Sequence, residues 1–182
     1  MKEKIKIKLP SGDVKLYQDK ISPLEIAEEI SISLKKNAII SRVNNELWDL
    51  DRLIHFDCEL EIITKGNKDL LEILRHDAAH VMAEAVLELY PDTQITIGPA
   101  IDNGFYYDFY KEDNFTPKDL ELIEKRMHEI VDRNEEIIRE VWTREEAMNF
   151  FKKNNEKFKL ELIKDIPDDQ EISFYKQGNF ID

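Results

Sequence analysis

Two histidines four residues apart, His76 and His80, are the sharpest chemical feature of the chain. On a helix that spacing puts both imidazoles on one face, about one turn apart. Such a pair can bind a metal ion, hold a water and a substrate group together, or simply face solvent. A zinc-protease pattern needs glutamate directly after the first histidine, and Asp77 stands there instead. The other nitrogen and sulfur donors, His55, Cys58 and His128, fall on other elements, and one cysteine makes neither an internal disulfide nor a cysteine-based zinc site. On residue types alone, no metal is assigned. A second cluster is Gly98-Pro99 with Asp102-Asn103-Gly104-Phe105-Tyr106-Tyr107-Asp108. A plain hairpin with aromatic strand residues explains it. Equally, a glycine at a strand end lets a ligand approach the backbone, and the tyrosines can line a pocket. Lys159 and Asp182, taken singly, read as ordinary surface charges.

These residues must be positioned by two differently patterned stretches. Over residues 1–65, period-two alternation at 4–9, a Pro-Ser-Gly-Asp turn and a second strand at 14–17 predict a hairpin. Ser22-Pro23 with Glu25 signals a helix start, with Leu24, Ile26, Ala27 and Ile30 inward and an end near Ser31. Strands at 38–43 and 46–49 flank an Asn44-Asn45 turn, and 58–64 closes the unit. The order ββαβββ predicts a small β-grasp-like module. From residue 66 the pattern becomes helical: 68–90 is a long helix carrying Leu70, Leu71, Leu74, Ala78, Val81, Met82, Ala85, Val86 and Leu89, stopped by Pro91. Strands are expected at 94–98 and 105–109, a helix from Thr116-Pro117 with Leu120, Ile123, Met127, Ile130 and Val131 on one face, a strand at 137–142, and a helix capped by Thr143 and Glu146. Short strands are expected from 156 onward, with a turn near Pro167. The fold class is α+β, in two separately ordered domains, 1–65 and 66–182.

Composition bounds the function. The chain has 182 residues, 42% of them hydrophobic and 36% charged, with a net charge of −13. Residues 1–65 carry 11 basic and 12 acidic side chains, and 66–182 carry 15 and 27. Wrapping a long nucleic acid needs a cationic surface, so recognition is limited to one exposed end that makes few phosphate contacts. The N-terminus alternates charge with isoleucine, unlike a signal peptide, and no run is long enough for a membrane span. A cytoplasmic, reduced protein is expected.

Arg75-His76-Asp77-Ala78-Ala79-His80-Val81-Met82-Ala83, followed by residues 97–108, closely resembles the editing region of bacterial threonyl-tRNA synthetases. Residues 118–129 look like that family's next helix. The first segment resembles the TGS domain that opens these enzymes, through Leu9-Pro10-Ser11-Gly12, Ile26-Ala27, Val43-Asn44-Asn45-Glu46-Leu47 and Asp49-Leu50-Asp51. The resemblance covers essentially the whole chain.

It implies a β-grasp (ubiquitin-like) TGS domain, then an α+β editing domain with a long central helix packed on a sheet, whose activity is hydrolysis of serine wrongly attached to threonine tRNA. It also implies that His76 sits at the ester end of the tRNA and with His80 positions substrate and water. Phe158-Lys159 matches the family's aromatic–lysine pair, making Lys159 a contact to water or sugar, and Asp182 matches the acid two residues before the family's cysteine. Gly98, Asp102 and Tyr107 become substrate-binding residues. The family's Cys-x-x-x-His half-motif would begin just beyond Asp182, so a truncation or a split gene is expected. No cofactor or metal is implied for this chain; ATP and zinc are expected only in the synthetase's catalytic domain. The implied partners are the tRNA 3′ end and the remaining synthetase domains, without a membrane, and with dimerisation expected only for the full-length enzyme. A free-standing deacylase and a non-catalytic TGS-type binding module are the alternatives.

Overall fold

The computed structural model describes residues 4–67 and 70–182. Met1 to Glu3, and the expected helix start at Lys68 and Asp69, lie outside the described residues. The chain divides into two compact units, Met1–Leu71 and Glu72–Asp182.

The first unit is a five-stranded mixed sheet carrying one main helix. The strands are β1 (Ile5–Lys8), β2 (Val14–Tyr17), β3 (Ala38–Val43), β4 (Glu46–Trp48) and β5 (Cys58–Thr64), in the spatial order β2-β1-β5-β3-β4. β1 and β5 run parallel, and the other neighbours are antiparallel. The β3–β4 turn is made by Asn44 and Asn45, both at positive φ, which asparagine tolerates better than most residues. Helix α1 (Pro23–Ile30) starts as its sequence signals: the Ser22 hydroxyl accepts from the Glu25 amide, and the Glu25 carboxylate accepts from the Ser22 amide. Ile7, Ile26, Ile54, Leu60 and Ile63 are fully buried, each worth roughly 1.5–3 kcal/mol against exposure. Two expectations change here. Ile30, expected inward, is exposed, because α1 ends at Ser31. Ser31 then caps an additional short helix, α2 (Ile32–Asn37), so the order is ββααβββ.

The second unit is built on α3 (Leu70–Leu89), which at 1.5 Å per residue is about 30 Å long. Its packed face is Ala79, Ala83, Ala85 and Val86, small residues that allow close approach. Ala79 and Ala83 pack with Ile95, Tyr107 and Phe180, whereas Ala85 and Val86 meet Ile123 and Ile130 of α4 (Pro117–Arg133). Leu71 and Leu74, expected on the buried stripe, are exposed, as are Leu120 and Val131 of α4. Each helix buries a narrower face than its apolar residues suggest.

The expected two-strand hairpin over 94–109 is instead two small ladders. β6 (Gln94–Ile95) pairs with β9 (Phe109–Tyr110), and β7 (Ala100–Ile101) pairs with β8 (Gly104–Phe105). Backbone bonds between Thr96, Ile97 and Asp108 extend the first ladder. β10 (Ile137–Trp142), β11 (Ile172–Gln177) and β12 (Phe180–Ile181) form an antiparallel sheet. Helix α5 (Arg144–Lys153) carries the Thr143/Glu146 capping box.

The largest correction lies at 157–165, where strands were expected and helix α6 (Lys157–Asp165) stands. The run Lys157-Phe158-Lys159-Leu160-Glu161-Leu162 alternates like a strand. What decides the matter is one core, in which Leu160, Ile163 and Ile166 reach Phe151 and Phe174 together. Tertiary packing overrides the local period.

Candidate active site

The polar cluster starts from α3. His76 and His80 are one turn apart, with their Nε2 atoms 3.0 Å apart and their rings nearly perpendicular. The other ring nitrogen of His80, Nδ1, lies 2.8 Å from Asp182 Oδ2. That nitrogen is buried and the contact misses hydrogen-bond geometry, so the two groups are close without being aligned. Asp182 follows β12, and its backbone pairs twice with Tyr175 of β11, at 2.8 and 3.0 Å, which fixes where its side chain starts.

Asp182 is the hub. Its side chain is only 6% exposed, and it also takes the Lys159 ammonium, 12% exposed, on Oδ1 and the Tyr107 hydroxyl, at 2.8 Å, on Oδ2. Burial by itself would raise its pKa, but the His80 ring and the Lys159 ammonium overcome this and hold the carboxyl well below its usual range. The Tyr107 phenol is pushed up by burial and then by the charge of Asp182, so it stays protonated and donates. His76, exposed at the helix surface, is lowered by partial desolvation and then by His80. A neutral imidazole at the mouth is the result.

Gly98 is explained by its neighbour. A Cβ built there would stand 2.1 Å from the Tyr107 ring, so the absence of a side chain makes room for that ring and not for a ligand. The ring is further stacked on Phe109 at 5.1 Å. Asp102 is placed differently from the other candidates: its backbone carbonyl accepts from Arg75 at 2.7 Å, while its side chain is exposed at the β7–β8 turn. His76, His80, Tyr107, Lys159 and Asp182 are therefore brought together, with Gly98 seating Tyr107, and Asp102 contributes through its backbone.

Residue-by-residue reading missed Arg75, which ties α3 to that turn, and Glu156. Glu156 stands at the N-cap position of α6 without a side-chain bond to the first turn, and burial, against the opposing pull of Lys159, raises its carboxyl. The i,i+3 spacing of Glu156 and Lys159 was available in the sequence, but a strand reading put them on opposite faces. Behind the cluster, Glu156, Phe180 and Ile181 line a cavity of about 250 Å³ together with Glu84, Glu88 and Arg133. A hollow of about 410 Å³ in the first unit has, among the described residues, Lys65 as its one charged lining residue. Among the described residues, no group of three His, Cys, Asp or Glu side chains is arranged to hold a metal ion, and no helix is long and apolar enough to cross a membrane.

A family model for the TGS domain matches residues 5–64. Those residues are a TGS domain. The TGS domain and the second unit together are similar to the N-terminal part of threonine–tRNA ligases. Identity is 52% over 98% of the chain with the ligase of Rickettsia akari (strain Hartford), 54% over 98% with that of Paramagnetospirillum magneticum, and 50% over 98% with that of Parvibaculum lavamentivorans. The chain spans 28%, 28% and 27% of the length of these relatives.

Proposed function

We propose that residues 66–182 are an editing hydrolase that removes serine from tRNA for threonine, in support of a threonine–tRNA ligase. One observation carries the reading. Side chains from positions 80, 107 and 159 converge on the buried carboxylate of Asp182, with His76, exposed and uncharged, against His80.

The chemistry is addition of water to an ester carbonyl, cleavage of the bond to the ribose oxygen, and return of a proton to that oxygen. Asp182, kept ionised by Lys159, favours the proton of His80 on Nδ1, leaving Nε2 to accept from His76 Nε2–H. The free nitrogen of His76 is then Nδ1, available to take the proton of an attacking water. The loose alignment of His80 on Asp182 is of a kind that often tightens when substrate binds. Lys159 acts here by neutralising and orienting Asp182. Serine lacks one methyl of threonine, worth only about 1–3 kcal/mol in a pocket, so a second, hydrolytic selection has a physical reason to exist.

The acidic character of the second stretch fits contact with the acceptor end alone, the rest of the tRNA being held by other parts of a ligase, which would also carry any ATP and zinc. Release of serine from seryl-tRNA for threonine, with threonyl-tRNA as control, is the test. His76→Ala and Asp182→Asn are expected to slow it by about 10²-fold or more. Undiminished hydrolysis in His76→Ala would sink the mechanism. Binding of the acceptor end with no hydrolysis would return the unit to a binding module.

A further inference from the structure

Helices α1, α4 and α5 each begin on a Ser or Thr capping box of their own, which fixes where along the chain the helix starts. Helix α6, which carries Lys159, begins differently. Its N-cap residue, Glu156, makes no side-chain bond to the first turn. The side chain that reaches this helix end is Gln94, on β6 and 63 residues earlier, whose Oε1 accepts from the Lys157 amide at 3.0 Å. The same amide also donates to the Asn155 carbonyl at 3.1 Å, so the glutamine oxygen is an added acceptor at a position where a helix leaves its amides unpaired. A second contact runs beside it. Tyr110 of β9, the cross-strand partner of Gln94, meets the Phe158 ring with centroids 5.8 Å apart.

We infer that Gln94 is a positioning residue: by capping α6 from β6 it sets where that helix begins in space, and so places the Lys159 ammonium against Asp182. Its effect on rate rests on the proposed hydrolase reading, and its geometry does not. A helix's own capping box fixes a start in the sequence, whereas an acceptor on another element fixes a start in the tertiary structure. The far end of α6 is held by Arg144, which donates to the Ile163, Ile166 and Pro167 carbonyls, and its middle by Leu160 and Ile163 in the core. Those contacts all lie beyond Lys159. The first turn, which carries Lys159, is met by Gln94 and Tyr110 from the β6–β9 ladder. That ladder is a rigid reference for the site, because Ile95, next to Gln94, is buried in one cluster with Ala79 and Ala83 of α3 and with Tyr107. Gln94 therefore joins the helix of Lys159 to a strand packed on the helix of His76 and His80. Lys159 and Asp182 are bonded and their side chains are 12% and 6% exposed, and a buried carboxylate is offset only while its partner stays in contact. A displacement of about 1 Å from a change away from the chemistry can cost about 10²-fold in rate.

The test uses this chain and two replacements of one residue. Gln94→Met keeps the length of the side chain and removes the acceptor. Gln94→Glu keeps an acceptor, and a carboxylate is favoured at a helix N-terminus. By NMR, Gln94→Met is expected to speed hydrogen exchange of the Lys157 amide and of the Lys159 ammonium, while Gln94→Glu keeps both slow. Far-UV circular dichroism should be the same in all three proteins. In hydrolysis of seryl-tRNA for threonine, Gln94→Met should lower kcat severalfold with KM unmoved, and Gln94→Glu should restore it. Lys159 exchange unchanged in Gln94→Met, or equal losses of kcat in the two variants, would overturn the inference. Faster Lys159 exchange in Gln94→Met, in a chain whose wild type hydrolyses nothing, would overturn the hydrolase reading and leave the placement of Lys159 standing.

Discussion

The two units treat charge in opposite ways. In the TGS domain the ion pairs, such as Lys8–Glu59 at 2.7 Å, Lys35–Glu28 at 2.6 Å and Arg42–Glu61 at 2.6 Å, lie at or near the surface. Its buried polar groups are small hydroxyls satisfied locally: Ser22 in its capping box and Ser41 donating to the Trp48 carbonyl at 2.7 Å. Its one thiol, Cys58, is buried and pushed up by that burial, away from reactive thiolate. In the second unit ionisable groups are buried, with the Asp182 side chain at 6% exposed, that of Lys159 at 12% and the Glu84 residue at 4%. Desolvating charges costs several kcal/mol per ion before pairing offsets it, so such pairs add little net stability. The TGS domain keeps its charges in solvent, and the second unit accepts a desolvation cost to bury its own.

That contrast can be broken by measurement, because each unit carries one of the two tryptophans, Trp48 and Trp142, as a local reporter of unfolding. The largest effect is expected from Asp182→Ala, which leaves Lys159 buried without its carboxylate. It should destabilise the second unit by about 3 kcal/mol in denaturant and leave the Trp48 transition unmoved. Gly98→Ala comes next. The added methyl collides with the Tyr107 ring, and about 1–3 kcal/mol of strain should appear together with loss of hydrolysis. A merely slack Gly98 loop would show neither.

The pH dependence sharpens the comparison. Asp182 is depressed in the folded state, so its contribution is present above the unfolded value of about 3.9 and is lost as pH falls below it. Glu84 is the reverse. Burial, and then Glu88, push it up to about 7, so its contribution is present below about 4.3 and is lost as pH rises toward 7. Glu84→Gln should therefore remove on the order of 1 kcal/mol of pH dependence between about 4 and 7 from the Trp142 transition alone. In the TGS domain, Ser22→Ala should cost about 1 kcal/mol through the lost cap. The smallest effect is expected from Lys8→Ala, which should leave the Trp48 midpoint within error.

Much of the fold was legible because its signals are local. Capping boxes at Ser22, Thr116 and Thr143, the Asn44-Asn45 turn and the Pro91 stop each act through a few neighbouring atoms. The errors share one cause. Leu71, Leu74, Leu120 and Val131 are apolar by type and exposed by placement, and α6 alternates like a strand while packing as a helix. Which apolar residue is buried depends on what lies opposite, and periodicity does not carry that information.

The site divides along the same line. Sequence by itself determined the His76–His80 pair, since i,i+4 geometry is a property of any helix, and through resemblance it also pointed to Lys159, Asp182, Tyr107 and Gly98. Only the tertiary structure decided that Asp182 is the hub, that Gly98 makes room for Tyr107 and that the Asp102 backbone carbonyl accepts from Arg75. The physical reason is distance along the chain. Groups separated by 23 to 102 residues, Lys159, Tyr107 and His80 from Asp182, meet only through the fold, and burial strengthens their effect on one another by removing the water between them.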